Sequence, residues 1–145
     1  MMTIRKQLTV DAPLERSFRV FTENMGSWWP KDHHIGGAAL KDCVIEPKVN
    51  GRWYEVGADG TTCEWGKVLA WEPPRRLAYS WHLRQDKQDA TRVEISFAAE
   101  GAGTRVSIVH AGWERLGDRA APLRERNRTG WGGLVPHYVR AAEAG

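Results

Sequence analysis

The feature that most constrains the fold is a run of about seventy residues in which polar and apolar side chains alternate with a period of two. This period is typical of strands with one buried face. Turn-forming pairs such as Asn50-Gly51 and Asp59-Gly60 divide the run into short segments. The six predicted strands are Leu40–Pro47, Arg52–Val56, Thr62–Trp71, Leu77–Leu83, Arg92–Glu100 and Thr104–His110. Connections this short make neighbouring strands antiparallel, because a parallel crossover needs about a dozen residues.

A further strand and two short helices are predicted before this run. Residues Thr3 to Val10 alternate in the same way and predict the first strand. Asp11 can cap the helix that follows, and Trp28-Trp29-Pro30 predicts a second, short helical turn. The apolar stripe of the first helix consists of Leu14, Phe18 and Phe21.

The last predicted element is a long helix that starts near Pro122 and continues to Ala144. We expect Pro136 to kink or break it, because proline lacks an amide donor and clashes with the carbonyl four residues earlier. Its candidate inward positions are Leu123, Trp131, Leu134, Val135 and Tyr138. This helix alone is long enough to cover the apolar face of seven strands. The order of elements therefore predicts an α+β fold with a space between sheet and helix.

Length and composition indicate one globular domain over residues 1–145, with 41% hydrophobic and 27% charged residues. The chain lacks both a membrane-length apolar run and an apolar signal-peptide core, so we expect a cytoplasmic protein with no membrane contact. The net charge is +3, and basic and acidic residues are mixed, which does not favour a nucleic-acid partner. Even the densest basic run (Arg115, Arg119, Arg124, Arg126, Arg128) is interleaved with Glu114, Asp118 and Glu125. We interpret it as a solvated surface with local ion pairs.

Metal and cofactor chemistry find little support in the sequence. Cys43 and Cys63 are expected to be unpaired thiols, because two lone cysteines in an unsecreted chain are more often small hydrophobes. Asp32, His33 and His34 have side chains that can bind a metal ion. However, the side chains of adjacent residues point in different directions, and no further candidate ligand follows at helical or strand spacing. Phosphate loops, dinucleotide fingerprints and nucleophile elbows are all missing. We therefore expect no metal and no cofactor.

Several motifs resemble those of a known family. They are the run from Val44 to Glu55, Asp59-Gly60, the run from Trp65 to Leu77, Gly103 to Val106, and His110 to Glu114. In order and spacing they are similar to the SRPBCC (START-like) superfamily, within it to the bacterial branch named after the activator of heat-shock-protein ATPase. The resemblance extends from Ile4 to about Tyr138.

This resemblance implies a helix-grip fold, in which a curved seven-stranded antiparallel sheet wraps around a long C-terminal helix, with two short helices after strand 1. It also implies a deep cavity between sheet and helix, which superfamily members use for lipids, sterols, polyketides and plant hormones. Some relatives are cyclases or dehydratases, many only carry ligands, and the activator itself binds a chaperone.

Three polar residues are candidates for chemistry inside such a cavity. They are His110, Glu55 and Glu64. Each lies two residues along its strand from an apolar or small residue, so that both fall on the same face of the sheet, and this predicts that all three point inward. An ionisable group in an apolar space can act as a general acid or base. The alternative for His110 is solvation near Gly112, or a backbone partner. We expect His110 and Glu55 to be structural or ligand-orienting rather than catalytic.

Tryptophan is unusually frequent, with eight residues in 145. Indole rings can fill a core or form stacking walls for a ring-bearing ligand, and their N–H groups can orient a polar substituent. For Trp81, which is flanked by Tyr79 and Leu83 at a period of two, core filling is favoured. The predicted ligand-binding residues are Trp28, Trp29, Trp53, Trp65, Trp81, His110, Trp131, Leu134 and Tyr138.

The sequence thus favours a noncatalytic protein that binds a small, largely apolar molecule, aromatic or lipid-like. Two alternatives are an enzyme of the cyclase or dehydratase type acting in the same cavity, and a partner-binding module that contacts a chaperone or a second copy of the chain. The enzyme alternative would use His110 with Glu55 or Glu64.

Overall fold

A curved seven-stranded antiparallel sheet dominates the computed structural model, which describes residues 3–31, 33, 37–81 and 91–144. Its strands are β1 Ile4–Val10, β2 Leu40–Ile45, β3 Arg52–Gly57, β4 Thr62–Glu72, β5 Arg76–Trp81, β6 Thr91–Glu100 and β7 Gly103–Ala111. Their order across the sheet is β1-β7-β6-β5-β4-β3-β2, so the six later strands form a continuous meander and β1 joins β7 at its far edge. All the predicted strands are confirmed, and their ends differ by no more than two residues, except that the predicted end of β5 at Leu83 lies outside the described residues.

The helices are α1 Leu14–Thr22, α2 Met25–Trp28, a 3₁₀ helix Trp113–Arg119, and α3 Ala120–Glu143. The second helical turn starts earlier than predicted and ends at Trp28, while Trp29 is already extended. The prediction that Asp11 caps α1 is wrong, because Pro13 occupies the N-cap position without a side-chain hydrogen bond. Instead, the backbone N–H of Asp11 donates to the Glu143 carboxylate at 2.8 Å and thereby ties β1 to the end of α3.

The predicted break at Pro136 does not occur, since α3 continues through this residue. Pro136 and the glycine four residues before it, Gly132, both lie on the exposed face of the helix. The carbonyl that loses its hydrogen bond can therefore bind water, and the glycine backbone can tilt away from the proline ring.

The helix packs on the concave side of the sheet, as the helix-grip prediction requires. Trp131, Leu134, Tyr138 and Ala142 form its buried face. At its C-terminal end the Arg16 guanidinium donates to the carbonyls of Ala142 (2.7 Å) and Ala141 (3.2 Å). These bonds satisfy carbonyls that have no partner within the helix.

Some predictions concern residues outside the described ranges, namely Asp32, His34, Gly36, Leu83 and the turn at 85–89. The prediction of local ion pairs in the basic run is confirmed at Glu125, which contacts Arg128 and, at 3.9 Å, Arg124. The two cysteines are free, as predicted. Among the described helices, none combines the length and the apolar character that crossing a membrane requires.

Candidate functional site

Eight aromatic and imidazole rings meet between the sheet and α3, and we call this group the ring cluster. Its members are Trp29, Trp53, Trp65, Tyr79, Trp81, His110, Trp113 and Trp131, all of them buried. They come from β3, β4, β5 and β7, from the segment after α2, from the 3₁₀ helix and from α3. Four of the seven strands, the 3₁₀ helix and α3 therefore each contribute at least one ring.

The rings touch one another edge to face or at a tilt, and Trp81 stacks on both Tyr79 and His110. Trp53 lies 4.9 Å from Trp81 and 5.0 Å from Trp65, centroid to centroid, with planes near perpendicular. On the other side of Trp81, the Trp131 ring of α3 lies at 5.6 Å. Such pairs contribute about 0.5–1.5 kcal/mol each beyond simple burial. A ligand in the predicted space must lie between these rings or displace them.

His110 is held at the centre of a chain of hydrogen bonds. The Trp131 indole N–H donates to its Nδ1 at 3.0 Å, and its Nε2 lies 2.7 Å from the Thr91 hydroxyl, which itself donates to the Trp81 carbonyl at 3.1 Å. An indole N–H can only donate, so Nδ1 carries no proton and Nε2–H donates to Thr91. Desolvation by burial lowers the pKa of His110 to about 3. The expected exposure to solvent near Gly112 is wrong, because His110 is fully buried under the rings of Trp81 and Trp113.

Glu55 points inward, as predicted, and is 1% exposed. Its Oε1 accepts a hydrogen bond from the Trp65 indole N–H at 2.8 Å. On the neighbouring strands it pairs with Cys43 and Cys63. Burial, with Asp42 adding to it, raises the pKa of the Cys43 thiol, which stays protonated at neutral pH. Glu55 is the one buried carboxylate among the described residues.

The predicted inward position of Glu64 is wrong. The register of β3 against β4 shifts between Trp53 and Tyr54, so that Trp53 pairs with Gly66 and Tyr54 with Glu64. This bulge turns Trp65 inward and leaves Glu64 partly exposed, 3.7 Å from Arg52 and 3.8 Å from Lys67. An extra residue in one strand reverses the parity from which the side of the sheet was predicted.

Three predicted ligand-binding residues lie next to the ring cluster rather than inside it. Trp28, Leu134 and Tyr138 are buried between α1, α2 and α3. Trp28 donates to the Val20 carbonyl at 2.8 Å, and the Tyr138 hydroxyl donates to the Ser17 carbonyl at 2.7 Å. The indole N–H of Trp28 and the hydroxyl of Tyr138 therefore already join the helices to one another.

Three residues that the sequence analysis did not select have roles in this interior, namely Thr91, Tyr79 and Trp113, whose ring lies 4.5 Å from that of His110. Thr91 bonds His110, but its position opposite Trp81 depends on the β5–β6 register, which the sequence does not reveal. Tyr79 lies 4.4 Å from Trp53 and shares the inner face of β5 with Trp81, which the period of two could have indicated. Within the described part of the chain, the Tyr79 hydroxyl and the Trp81 indole N–H are buried without a hydrogen-bond partner.

A separate cleft of about 420 Å³ lies between α1 and the turn that joins β4 to β5. It is lined by Glu15, Phe18, Arg19, Glu23, Pro47, Trp71, Pro73 and Pro74.

The curved antiparallel sheet and the long C-terminal helix that packs on it form the helix-grip fold of the SRPBCC (START-like) superfamily. The family model of the Activator of Hsp90 ATPase homolog 1-like proteins matches residues 11–135. The chain therefore belongs to this family, and the resemblance seen in its motifs is confirmed. No curated protein matches the chain significantly.

Solved structures include a relative at 37% sequence identity, the anthrahydroquino-γ-pyrone synthase Txn09 complexed with SUM, with a TM-score of 0.59 over 81% of each chain. The Aha1 dimer from Colwellia psychrerythraea is 16% identical, with a TM-score of 0.73 over 99% of this chain and 97% of that one. Protein MLL2253 from Mesorhizobium loti is 19% identical, with a TM-score of 0.72 over 96% and 95%. The last two likenesses concern the fold alone.

Proposed function

We propose that this protein binds a small, largely apolar aromatic molecule between the sheet and α3. The observation that carries the proposal is the ring cluster, because aromatic walls contributed by separate elements can receive a flat ring system on several sides. The kinship with Txn09, a synthase named for a fused aromatic product, supports a ligand of this class. His110 and Glu55 then position the indoles of Trp131 and Trp65 that line the site.

A titration of the intrinsic tryptophan fluorescence tests this proposal. We expect saturable quenching by members of a panel of tricyclic aromatics, including fluorene, 9-fluorenone and 9,10-anthraquinone. Trp131→Leu removes one wall and should weaken binding at least about tenfold, as the loss of roughly 1.4 kcal/mol of ring contact would do. Trp71→Leu is the matched control, because Trp71 contacts Phe18 outside the ring cluster, and binding should persist. No saturable response across the panel, or an equal loss in both variants, would contradict the proposal.

A second candidate function is catalysis of ring closure on an aromatic precursor, which the 37% identity to a pyrone-forming synthase specifically favours. In that case Glu55, a buried carboxylate, is the residue to accept a proton from the substrate. His110 is not suited to this role while Trp131 occupies its only lone pair. Glu55→Gln keeps the bond from Trp65 and removes the base. We therefore expect this variant to lose turnover but retain binding if the protein is an enzyme, and to behave like wild type if it only binds.

A further inference from the structure

Two hydrogen-bond donors in the ring cluster, Tyr79 Oη and Trp81 Nε1, differ from the other donors there because they have no acceptor among the described residues. The six other buried indoles each have an acceptor, which is Val20 O for Trp28, His33 O for Trp29, Met25 Sδ for Trp53, Glu55 Oε1 for Trp65, His110 O for Trp113 and His110 Nδ1 for Trp131. Trp81 Nε1 and Tyr79 Oη have none within the described residues, although neither atom reaches solvent. Both belong to the inner face of β5, two residues apart, so they open onto the same interior.

Leaving a polar group buried and unbonded costs about 1–3 kcal/mol. A tyrosine that served only as filler could be a phenylalanine at that position at no such cost. The chain instead keeps two unbonded groups on the same face of β5, in an interior where every other buried indole among the described residues has an acceptor. This is the arrangement expected where a bound molecule completes the hydrogen bonding.

The chemistry of the two groups identifies what the bound molecule must offer. An indole N–H can only donate. The Tyr79 hydroxyl keeps its proton, because burial raises its pKa well above the ordinary value, so it too is available to donate. The ligand must therefore present hydrogen-bond acceptors on its ring system, and a bare hydrocarbon would leave both donors unbonded.

The charges around the site favour a neutral acceptor over an anion. Among the described residues, the buried polar and charged set contains Glu55 but no lysine or arginine, and His110 is held uncharged. A carboxylate or phosphate brought into this interior would lack a counter-ion. A ring carbonyl fits the two donors without that penalty.

We propose that Tyr79 and Trp81 select an aryl ketone or quinone, whose carbonyl oxygen accepts hydrogen bonds from the Tyr79 hydroxyl and the Trp81 indole N–H. This inference rests on the proposed function, because it assigns the ligand class and the two specificity residues of the same site.

The experiment compares fluorene with 9-fluorenone, which share one tricyclic frame and differ by a single carbonyl. Wild type should bind 9-fluorenone about tenfold more tightly than fluorene, which corresponds to about 1.4 kcal/mol and lies within the range that buried hydrogen bonds contribute. Tyr79→Phe should lose most of this preference, and Tyr79→Phe with Trp81→Phe should abolish it. The infrared carbonyl stretch of bound 9-fluorenone should lie at lower frequency in wild type than in the double variant.

Tyr138→Phe is the matched control, because the Tyr138 hydroxyl already bonds Ser17. This variant should be less stable than wild type yet keep the ligand preference, whereas Tyr79→Phe without ligand should be at least as stable as wild type. Equal binding of the two probes by wild type, or a preference and carbonyl frequency unchanged in the double variant, would overturn this inference while leaving aromatic binding in place. Failure of wild type to bind any member of the panel would overturn both.

Discussion

The neighbours of His110 can form their hydrogen bonds only with the neutral imidazole that carries its proton on Nε2. Trp131 donates to Nδ1, so a second proton on the ring would place two donors face to face and break the bond that joins α3 to β7. The unfolded chain has no such restriction. The folded state therefore holds this imidazole neutral over a pH range in which the unfolded chain protonates it.

The stability of the protein should fall as the pH drops through this range. The pKa of His110 is lowered from 6.5 to about 3 in the folded state, so its contribution is complete above pH 6.5 and declines toward pH 3. Between pH 7 and pH 5 we expect a loss of about 2 kcal/mol in the free energy of unfolding. Urea denaturation of wild type and of His110→Gln at both pH values measures the difference. An equal loss in the variant would show that another group is responsible.

For single residues, the sequence predicted which face of the sheet a side chain lies on better than it predicted what surrounds that side chain. The parity of β3 and β7 correctly placed Glu55 and His110 inside. It could not show that His110 is excluded from water, because the rings that cover it include Trp81 of β5 and the indole that bonds it comes from α3, twenty-one residues further along the chain. Contacts between elements distant in sequence leave no local pattern to interpret.

The bulge in β4 is the element-scale feature that sequence alone did not reveal. It sets Trp65 inward and Glu64 outward, and it depends on close approach of the backbone at Gly66. A Cβ at that residue would lie 1.7 Å from the Ser80 carbonyl oxygen of β5. A strand of alternating residues is visible in a sequence, but a one-residue register shift within it is not.

Two glycine substitutions should have opposite effects on stability. Gly66→Ala should lower the free energy of unfolding by at least about 2 kcal/mol, because the added methyl group meets the backbone of β5. Gly133→Ala on the exposed face of α3 meets nothing within 4 Å and should raise it by about 1 kcal/mol, through the higher helix propensity of alanine. Urea titrations of both variants are the measurement. A Gly66→Ala protein as stable as wild type would contradict the close approach.

On the scale of the whole molecule, order of elements was the most predictable property. One strand, two helices, six strands and a long helix leave few ways to bury a single sheet face. What this order cannot show is how the interior is filled, since packing depends on the shapes of rings from many elements. The same limit explains why the sequence could indicate that Tyr79 points inward but not that, within the described residues, its hydroxyl has no hydrogen-bond partner.

Opening of the whole interior can be followed through its thiols. Cys43 is buried at the β2 edge beneath α2, whereas Cys63 is partly exposed. We expect a thiol reagent to label Cys63 quickly and Cys43 only through opening of the fold. Labelling kinetics of Cys63→Ser and Cys43→Ser separate the two, and sub-denaturing urea should accelerate only the first variant. Similar rates for the two thiols in native buffer would contradict the buried position of Cys43.

The spacing of the indoles also gives the protein an optical property. Transition dipoles of neighbouring rings such as Trp53 and Trp65, 5.0 Å apart and almost perpendicular, couple and split their absorption into bands of opposite circular dichroism. The ultraviolet spectrum of this chain therefore reports the angles between its rings as well as its helix and strand content. A bound molecule that moves the rings apart would remove this pair of opposite bands while the backbone stayed unchanged. The near- and far-ultraviolet circular dichroism would then report whether the interior is occupied.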